Sequence, residues 1–545
     1  MFKKPLSYTE LLRDAVEIEF LLEVSFAGRV YRWSTRGSAV PLDDGTEILF
    51  AGGLEVDYSD PLDLFNESPS FTSVPFSLIF SDDIAELISQ GHDLYNAPGT
   101  LSLWVPGRTY EQRIVLIKGT CTDPEYGAAG EPVSFSLQSN SSEDTALWPP
   151  ATMRIYSSTY SDADPNYDEL YYPIIIGQPG ISGAAAGDQV PGSPAYAVYA
   201  PALTNPTILV AGHPCSATSV TLINKTQEED TGLSRRATLS VATTTDGLGQ
   251  EVTTGTYDNV SMGDTYVIGD ELVVIWNNGG GILNERETAD LRGAGEVIVF
   301  MLRKSTLSFD VGRWRSVESY LNQRFKIDCY IDEPVVPAEW LTQNIYPLLN
   351  MSLVNSTEGL APVIWRREAT HSDAVGQLTA GSDCSRSGPV LYEYQQLINE
   401  VRFTYALDAT DNEFYRAEFL VGEIDLVEDP VALARPTIHS EYSRASFIRY
   451  GSHATEMSSD VVYEPATVYE ILNWMSRAYA LPYRVVTYDV ATRWSFLNRG
   501  DVVTITDAEI HLTDKLALVR DIAWSLNRVS VTLVLVEDPP LTSRV

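Results

Sequence analysis

The residues of this 545-residue chain best suited to bond-making chemistry are its six histidines and four cysteines. The histidines are His92, His213, His371, His439, His453 and His511. None stands in a His-x-x-x-His or His-Glu-x-x-His spacing, so no helical zinc pair is written into the chain. Cys121, Cys215, Cys329 and Cys384 form no Cys-x-x-Cys unit and read as free, mostly buried thiols of a reducing compartment. One pair invites a sharper reading. In His213-Pro214-Cys215 the imidazole and thiol are two residues apart and share a face of an extended chain. A nucleophile of this kind needs a third group to orient the base, and none is identifiable, so the pair reads as a loop histidine beside a buried thiol.

Carboxylates number 74, so any acid pair singled out from them would be chosen by chance. Asp162-x-Asp164-x-Asn166-x-Asp168 alternates oxygen ligands as a calcium loop does. Tyr167 stands where such a loop needs glycine and Pro173 where it needs glutamate, so the stretch reads as a solvated acidic loop. No Gly-x-Ser-x-Gly elbow and no Walker A loop occurs. Gly279-Gly280-Gly281 lacks both the lysine and the strand-to-helix setting of a phosphate loop, and reads as a flexible joint between domains. The expectation is therefore a chain that is not an enzyme, with no catalytic residue, no cofactor site and no metal ligand.

The formal net charge of −37 argues against a nucleic-acid binder, which needs clustered Lys and Arg, and against an anionic membrane surface. It serves solubility, or a negative channel wall whose field a ring of identical subunits would multiply. Hydrophobic residues make up 44%, enough for full cores. The 10 Trp, 29 Tyr and 17 Phe, with many Val and Thr, favour strands. Met1-Phe2-Lys3-Lys4 is followed by a polar, amphipathic stretch rather than an apolar signal core, and no run of eighteen apolar residues spans a membrane.

The elements that would position any site begin, most legibly, near the C-terminus. Pro465 suits a first helical turn, and Val468, Ile471, Leu472, Met475 and Tyr479 recur at helical spacing before Ala480-Leu481-Pro482 stops the helix. Strand patterns follow at Tyr483–Val490, Asp501–Thr506, Lys515–Trp524 and Val529–Val536. In the last, Val529, Val531, Leu533 and Leu535 share one face. Near the N-terminus, Ser7-Tyr8-Thr9-Glu10 is a capping box ahead of a short helix. Ile18–Val24, Gly28–Ser34, Gly53–Tyr58, Thr72–Phe80, Thr100–Val105, Tyr110–Lys118 and Pro132–Gln138 read as strands. Asp43-Asp44-Gly45-Thr46 marks a hairpin, and Ser81 caps a helix Asp82–Gln90 ended by Gly91.

The C-terminal order of helix, Ala480-Leu481-Pro482-Tyr483-Arg484, strand, Gly500-Asp501-Val502-Val503-Thr504-Ile505-Thr506-Asp507, two strands and Glu537-Asp538-Pro539 resembles the C-terminal part of tail-tip hub proteins of tailed bacteriophages. The line Val30-Tyr31-Arg32-Trp33-Ser34-Thr35, with Phe50-Ala51-Gly52-Gly53-Leu54, is similar to the start of their N-terminal tube-like module. Tyr172-Pro173-Ile174-Ile175-Ile176-Gly177 looks like the opening of the small domain these hubs often insert. The resemblance is strongest over 465–540 and 18–56 and weakest over 180–280. It implies a mainly β, multi-domain chain of β-sandwich and β-barrel tail-hub modules with an α/β segment.

Read with it, the chain divides into an N-terminal β-sandwich (1–138), a Ser-, Thr-, Asp- and Pro-rich linker (139–165), an inserted β-domain (166–280), an α/β region (281–398) and a C-terminal barrel-like module with helix 465–480 (399–545). Within the last, the polar stretch from Thr437 to Met457 would close a barrel and carry subunit contacts. The resemblance also implies a structural role in the virion, as a baseplate hub closing the tail tube and supporting host attachment and DNA delivery. The partners would be itself, as a homotrimer, the distal tail and other tail-tip proteins, and tail fibre or central spike proteins. Such a protein is made in the host bacterial cytoplasm. Some tail-tip proteins hold an iron–sulfur cluster, but the wide cysteine spacing here offers it little. The alternative is a receptor- or carbohydrate-binding tail protein, whose mark would be Trp and Tyr gathered on the exposed loops of one domain. A wall-degrading enzyme is least favoured, for want of a site.

Overall fold

The computed structural model describes residues 17–56, 58–59, 73–78, 82–126, 132–139, 144–160, 163–183, 189–199, 205–285, 289–356, 358–393, 397–421, 437–494, 496–525 and 528–536. The capping box at Ser7–Glu10, Asp162 of the acidic loop, Ser81 and Glu537–Pro539 lie outside them. The architecture is mainly β with an α/β segment.

The N-terminal sheet has seven strands, running from Arg29–Ser34 at one edge through Glu19–Phe26, Pro98–Trp104, Ile114–Glu125, Val133–Ser139 and Ser73–Leu78 to Leu54–Val56. Alternate residues such as Phe20, Leu22 and Val24 are fully buried on one face. The expected strand from Tyr110 begins instead with a short 3-10 turn, Tyr110–Gln112, and becomes extended at Ile114. The helix Asp82–Ser89 is present, and Gly91 beyond it takes a left-handed φ of 92°.

The C-terminal strands Tyr483–Val490, Val502–Asp507, Leu512–Ser525 and Arg528–Leu535 form one antiparallel set. Short strands Gln377–Thr379 and Cys384–Arg386 close its two ends. Val529, Val531, Leu533 and Leu535 point together into a core that also holds Phe20, Leu22, Val24, Phe76, Leu101 and Leu137. The first and last thirds of the chain therefore share one core, and Tyr58–Ser59 adds its backbone to Ala523–Trp524. The opposite face of the C-terminal sheet, with Val485, Val502, Leu518 and Val534, packs on the hairpin Met351–Ser356 and Gly359–Ile364.

A second core gathers helices Ala294–Lys304, Val311–Arg324, Pro337–Asn344 and Pro465–Tyr479 with the strands Glu400–Leu407 and Phe414–Val421. Helix Pro465–Tyr479 buries Val468, Ile471, Leu472 and Met475, the positions picked out by its spacing. It packs here and not against the strands that follow it, so residues 399–545 are split between two cores by the break at Leu481-Pro482. The polar stretch from Thr437 also differs from expectation. It contains helix Glu441–Tyr450, begun by Ser440, whose side chain accepts from the Ser443 amide, and it ends in strand Ala454–Ser459.

A third core fills a closed six-stranded barrel, ordered Ser193–Tyr199, Thr207–Ala211, Glu251–Thr256, Arg236–Thr245, Ser219–Asn224 and Leu272–Asn278. Every neighbouring pair is antiparallel. Closure leaves no open sheet edge.

Two loop readings are corrected. The described part of the stretch read as a linker, 144–160 and 163–165, is a packed strap. Trp148 is buried and exchanges two backbone hydrogen bonds with Val335, and the Asp144 carboxylate accepts from the amides of Thr306 and Ala338. The acidic loop is not wholly solvated, because Asp164 is buried. Its carboxylate accepts from the Asn166 amide at 2.9 Å, the Gly269 amide at 2.6 Å and the Tyr266 hydroxyl at 2.6 Å. Donors outbid water there, and the aspartate ties the strap to the barrel.

Candidate functional site at the neck of the inserted barrel

Three features singled out in the sequence meet in one place, where the chain enters and leaves the barrel. They are Tyr172–Gly177, His213–Cys215 and Gly279–Gly281. The entering strand Ile174–Ile176 pairs with Cys329–Ile331 of the body. The leaving chain runs back beside it, with the Gly281 amide donating to Gly177 O at 2.8 Å and the Ile282 amide to Ile175 O at 2.9 Å.

Gly279–Gly281 is therefore not a flexible joint. A Cβ on Gly281 would lie 2.0 Å from Ile175 O, and one on Gly280 2.5 Å from Gly177 O. Gly279 has a φ of +95°, and its Cβ would lie 2.7 Å from Ala217 Cα. Only glycine lets backbones approach this closely. The run is a tight crossing, and its carbonyls at Gly280 and Gly281 accept from the amides of Ala217 and Ser216.

A polar lock surrounds the crossing. Asp328 is fully buried, and Arg292 grips it through two hydrogen bonds, Nε to Oδ1 at 2.6 Å and Nη2 to Oδ2 at 2.9 Å. The same guanidinium reaches Glu464 at 3.0 Å, at the start of helix Pro465–Tyr479. Asp328 Oδ1 also accepts from the Gln178 amide at 2.7 Å. Burial holds the Asp328 carboxyl above its ordinary pKa, against the lowering effect of Arg292. Asp290 accepts from the Gln178 side chain at 2.7 Å and from the Ser216 hydroxyl, so both chain crossings are tied to the body.

His213 sits inside this neck. Its Nε2 accepts from the Ile175 amide at 2.9 Å, and its Nδ1 faces Pro214 O at 2.9 Å. An acceptor at one nitrogen and a donor at the other define a neutral imidazole protonated at Nδ1. Desolvation pushes its pKa down to about 4. Cys215 Sγ lies 3.7 Å from that nitrogen, and burial pushes the thiol up to about 12. A neutral imidazole with both nitrogens engaged is a poor base, and a thiol at about 12 is not a thiolate at neutral pH. Together the pair pins the chain.

The other histidines are scattered. His371 bonds the Asp514 carbonyl, His453 bonds the Tyr450 carbonyl, and His92 stands edge-on to Phe26. All four cysteines are free. Cys121 and Cys384 lie in the core shared by the two chain ends, Cys329 in the helical core and Cys215 at the barrel. Among the described residues no three His, Cys, Asp or Glu side chains converge as a metal site, and no helix is long and apolar enough to cross a membrane. Sequence reasoning missed Arg292, Asp328 and Glu464. Their charge is common in the chain, and only burial of the aspartate distinguishes them.

No family model matches the chain, and no curated protein sequence matches it. Among solved structures it is similar to the 43 kDa tail protein of prophage MuSo2 from Shewanella oneidensis, with a TM-score of 0.36, 10% identity, and coverage of 95% of this chain and 98% of that one. It is similar to a tail protein from Neisseria meningitidis MC58, with a TM-score of 0.34, 10% identity, and coverage of 95% and 97%. A prophage tail protein from Listeria monocytogenes EGD-e aligns with a TM-score of 0.28, 8% identity, and coverage of 96% and 95%.

Proposed function

We propose that this chain is a structural protein of a bacteriophage tail tip, a baseplate hub that closes the tail tube as a homotrimer and acts by assembly rather than catalysis. The resemblance of residues 18–56 and 465–540 to such hubs supports the reading. The observation that carries it is the core shared by those two ends. Strands from Glu19–Phe26 and Arg528–Leu535 bury their side chains together, so the stretches that resemble the hub modules form one body. The body carries a rigidly clamped barrel, and the neck residues that suggested chemistry are engaged in packing. Its partners are other tail-tip proteins, and its place is the virion.

The receptor-binding alternative called for aromatic loops exposed on one domain. All ten Trp are buried or half-buried. The exposed large aromatics among the described residues are spread as Tyr95, Tyr126, Tyr392, Phe414, Tyr415 and Tyr469. No specific observation favours that reading.

The test is the native mass of the purified chain over a concentration series, paired with antibody labelling of particles. The expected results are a trimer near three times 60.2 kDa and label confined to one end of the tail. Label along the tube or on the capsid overturns the hub reading. Purified chain is expected to release no soluble product from peptidoglycan, and turnover there overturns the non-catalytic assignment.

A further inference from the structure

The end of the barrel opposite the neck is built differently. Among the described residues two connections cross it: helix Lys225–Thr231 with its following turn, and helix Asn259–Met262 with the loop to Leu272. Four of their apolar side chains face outward, while Met262 and Tyr266 point into the barrel core. Leu233 is 58% exposed, Val260 88%, Val267 50% and Ile268 54%. Single exposed apolar residues are ordinary, but a group held on one face marks a contact surface.

The segments bearing them are fixed to one another. Arg235 pairs with Asp264 at 3.3 Å, joining the turn after Leu233 to the loop after Val260. The loop carrying Val267 and Ile268 is pinned at both sides of its tip by buried aspartates. Asp270 accepts from the Val267 amide at 2.9 Å and the Asn224 side chain at 2.7 Å, and Asp164 accepts from the Gly269 amide at 2.6 Å. Asp164 and Asp270 are both buried and fully supplied with donors. Buried polar networks of this kind hold one loop conformation, and a preorganised apolar tip binds without a large ordering cost.

The charge around the tip selects the partner. Arg235, Arg236 and Lys225 are matched by Asp264, Glu228 and Glu271. Glu229, Asp230 and Asp258 stand exposed beside the apolar group. We propose that this end of the barrel is a protein-docking face whose partner presents apolar side chains framed by lysine or arginine. A second copy of this chain would bring the same acidic rim to this face, and like charge there disfavours it. The proposal does not depend on the hub reading.

The test uses the full chain and two synthetic helical peptides, one of leucine and lysine and one of leucine and glutamate, with binding read by fluorescence anisotropy over a salt series. The leucine–lysine peptide is expected to bind and the glutamate peptide to fail. Val260→Ser with Ile268→Ser is expected to weaken binding about tenfold or more, with an unchanged melting temperature. Glu229→Gln with Asp230→Asn is expected to weaken binding and flatten its salt dependence. Equal binding by the Val260→Ser, Ile268→Ser chain would mean charge attraction alone and overturn the docking face. No binding to the intact chain overturns it too, as does a native dimer that the same double variant abolishes.

Discussion

The inserted barrel and the body that carries it are built on opposite plans. The barrel's strands come from one continuous stretch, Ser193 to Asn278, close on themselves and need no outside strand. The body's main core is drawn from both ends of the chain, with Phe20 and Leu533 in the same cluster. The barrel should therefore respond to damage locally, whereas the body should respond as a unit. Between them stands the neck, where glycine crossings and the Arg292–Asp328 lock replace the loose linker that usually separates autonomous domains.

The sharpest way to break this contrast is in the shared core. Phe20→Ala is expected to cost about 3–5 kcal/mol. Amide protection should fall together in Glu19–Phe26 and Arg528–Leu535 while the barrel strands keep theirs, as hydrogen exchange would read. Loss confined to the N-terminal sheet would mean two independent modules.

At the neck, Gly281→Val is expected to cost about 3 kcal/mol or more, because the new side chain meets backbone at Ile175 O that cannot rotate away. Asp328→Ala should cost about 3 kcal/mol by leaving the half-buried Arg292 and the Gln178 amide short of a partner. In both variants limited proteolysis should begin to cut at Gly177–Gln178 or Gly279–Gly281, where the packed parent chain is expected to resist. A parent chain already cut at Gly279–Gly281 would restore the flexible joint and sink the clamp.

The neck also carries a pH dependence. The folded pKa of His213 is about 4, below its ordinary 6.5. Its contribution is full above pH 6.5 and is lost as the pH falls from 6.5 to 4, up to about 3 kcal/mol. Asp328 works in the opposite sense, since its raised pKa favours the fold as it gains a proton. The measurement is thus the difference in stability between parent and His213→Gln across that range. The difference should shrink as the pH falls, and a constant difference would remove His213 as the cause. The smallest expected effect is at the barrel's far end, where Val260→Ser should change stability by no more than about 0.5 kcal/mol.

Much of this architecture was written locally. The helix at 465–479 is legible because Val468, Ile471, Leu472 and Met475 recur at the helical period on the face that is buried. The last strand is legible because Val529, Val531 and Leu533 alternate with polar residues. Helix Glu441–Tyr450 escaped because its buried positions are Ser443, Ala445 and Ser446, too small and polar to mark a period. Its signals were Ser440 before it and Gly451 after it.

What the sequence determined by itself is the set of elements and their burial faces, since period and turn chemistry act between near neighbours. Which faces meet depends on residues far apart in the chain. Nothing local tells Leu533 to seek Phe20, nor distinguishes a glycine run that must bend from one that another backbone must touch. Ile175 O, more than a hundred residues away, makes Gly281 a packed crossing, and burial makes Asp328 a lock rather than one more acid among 74.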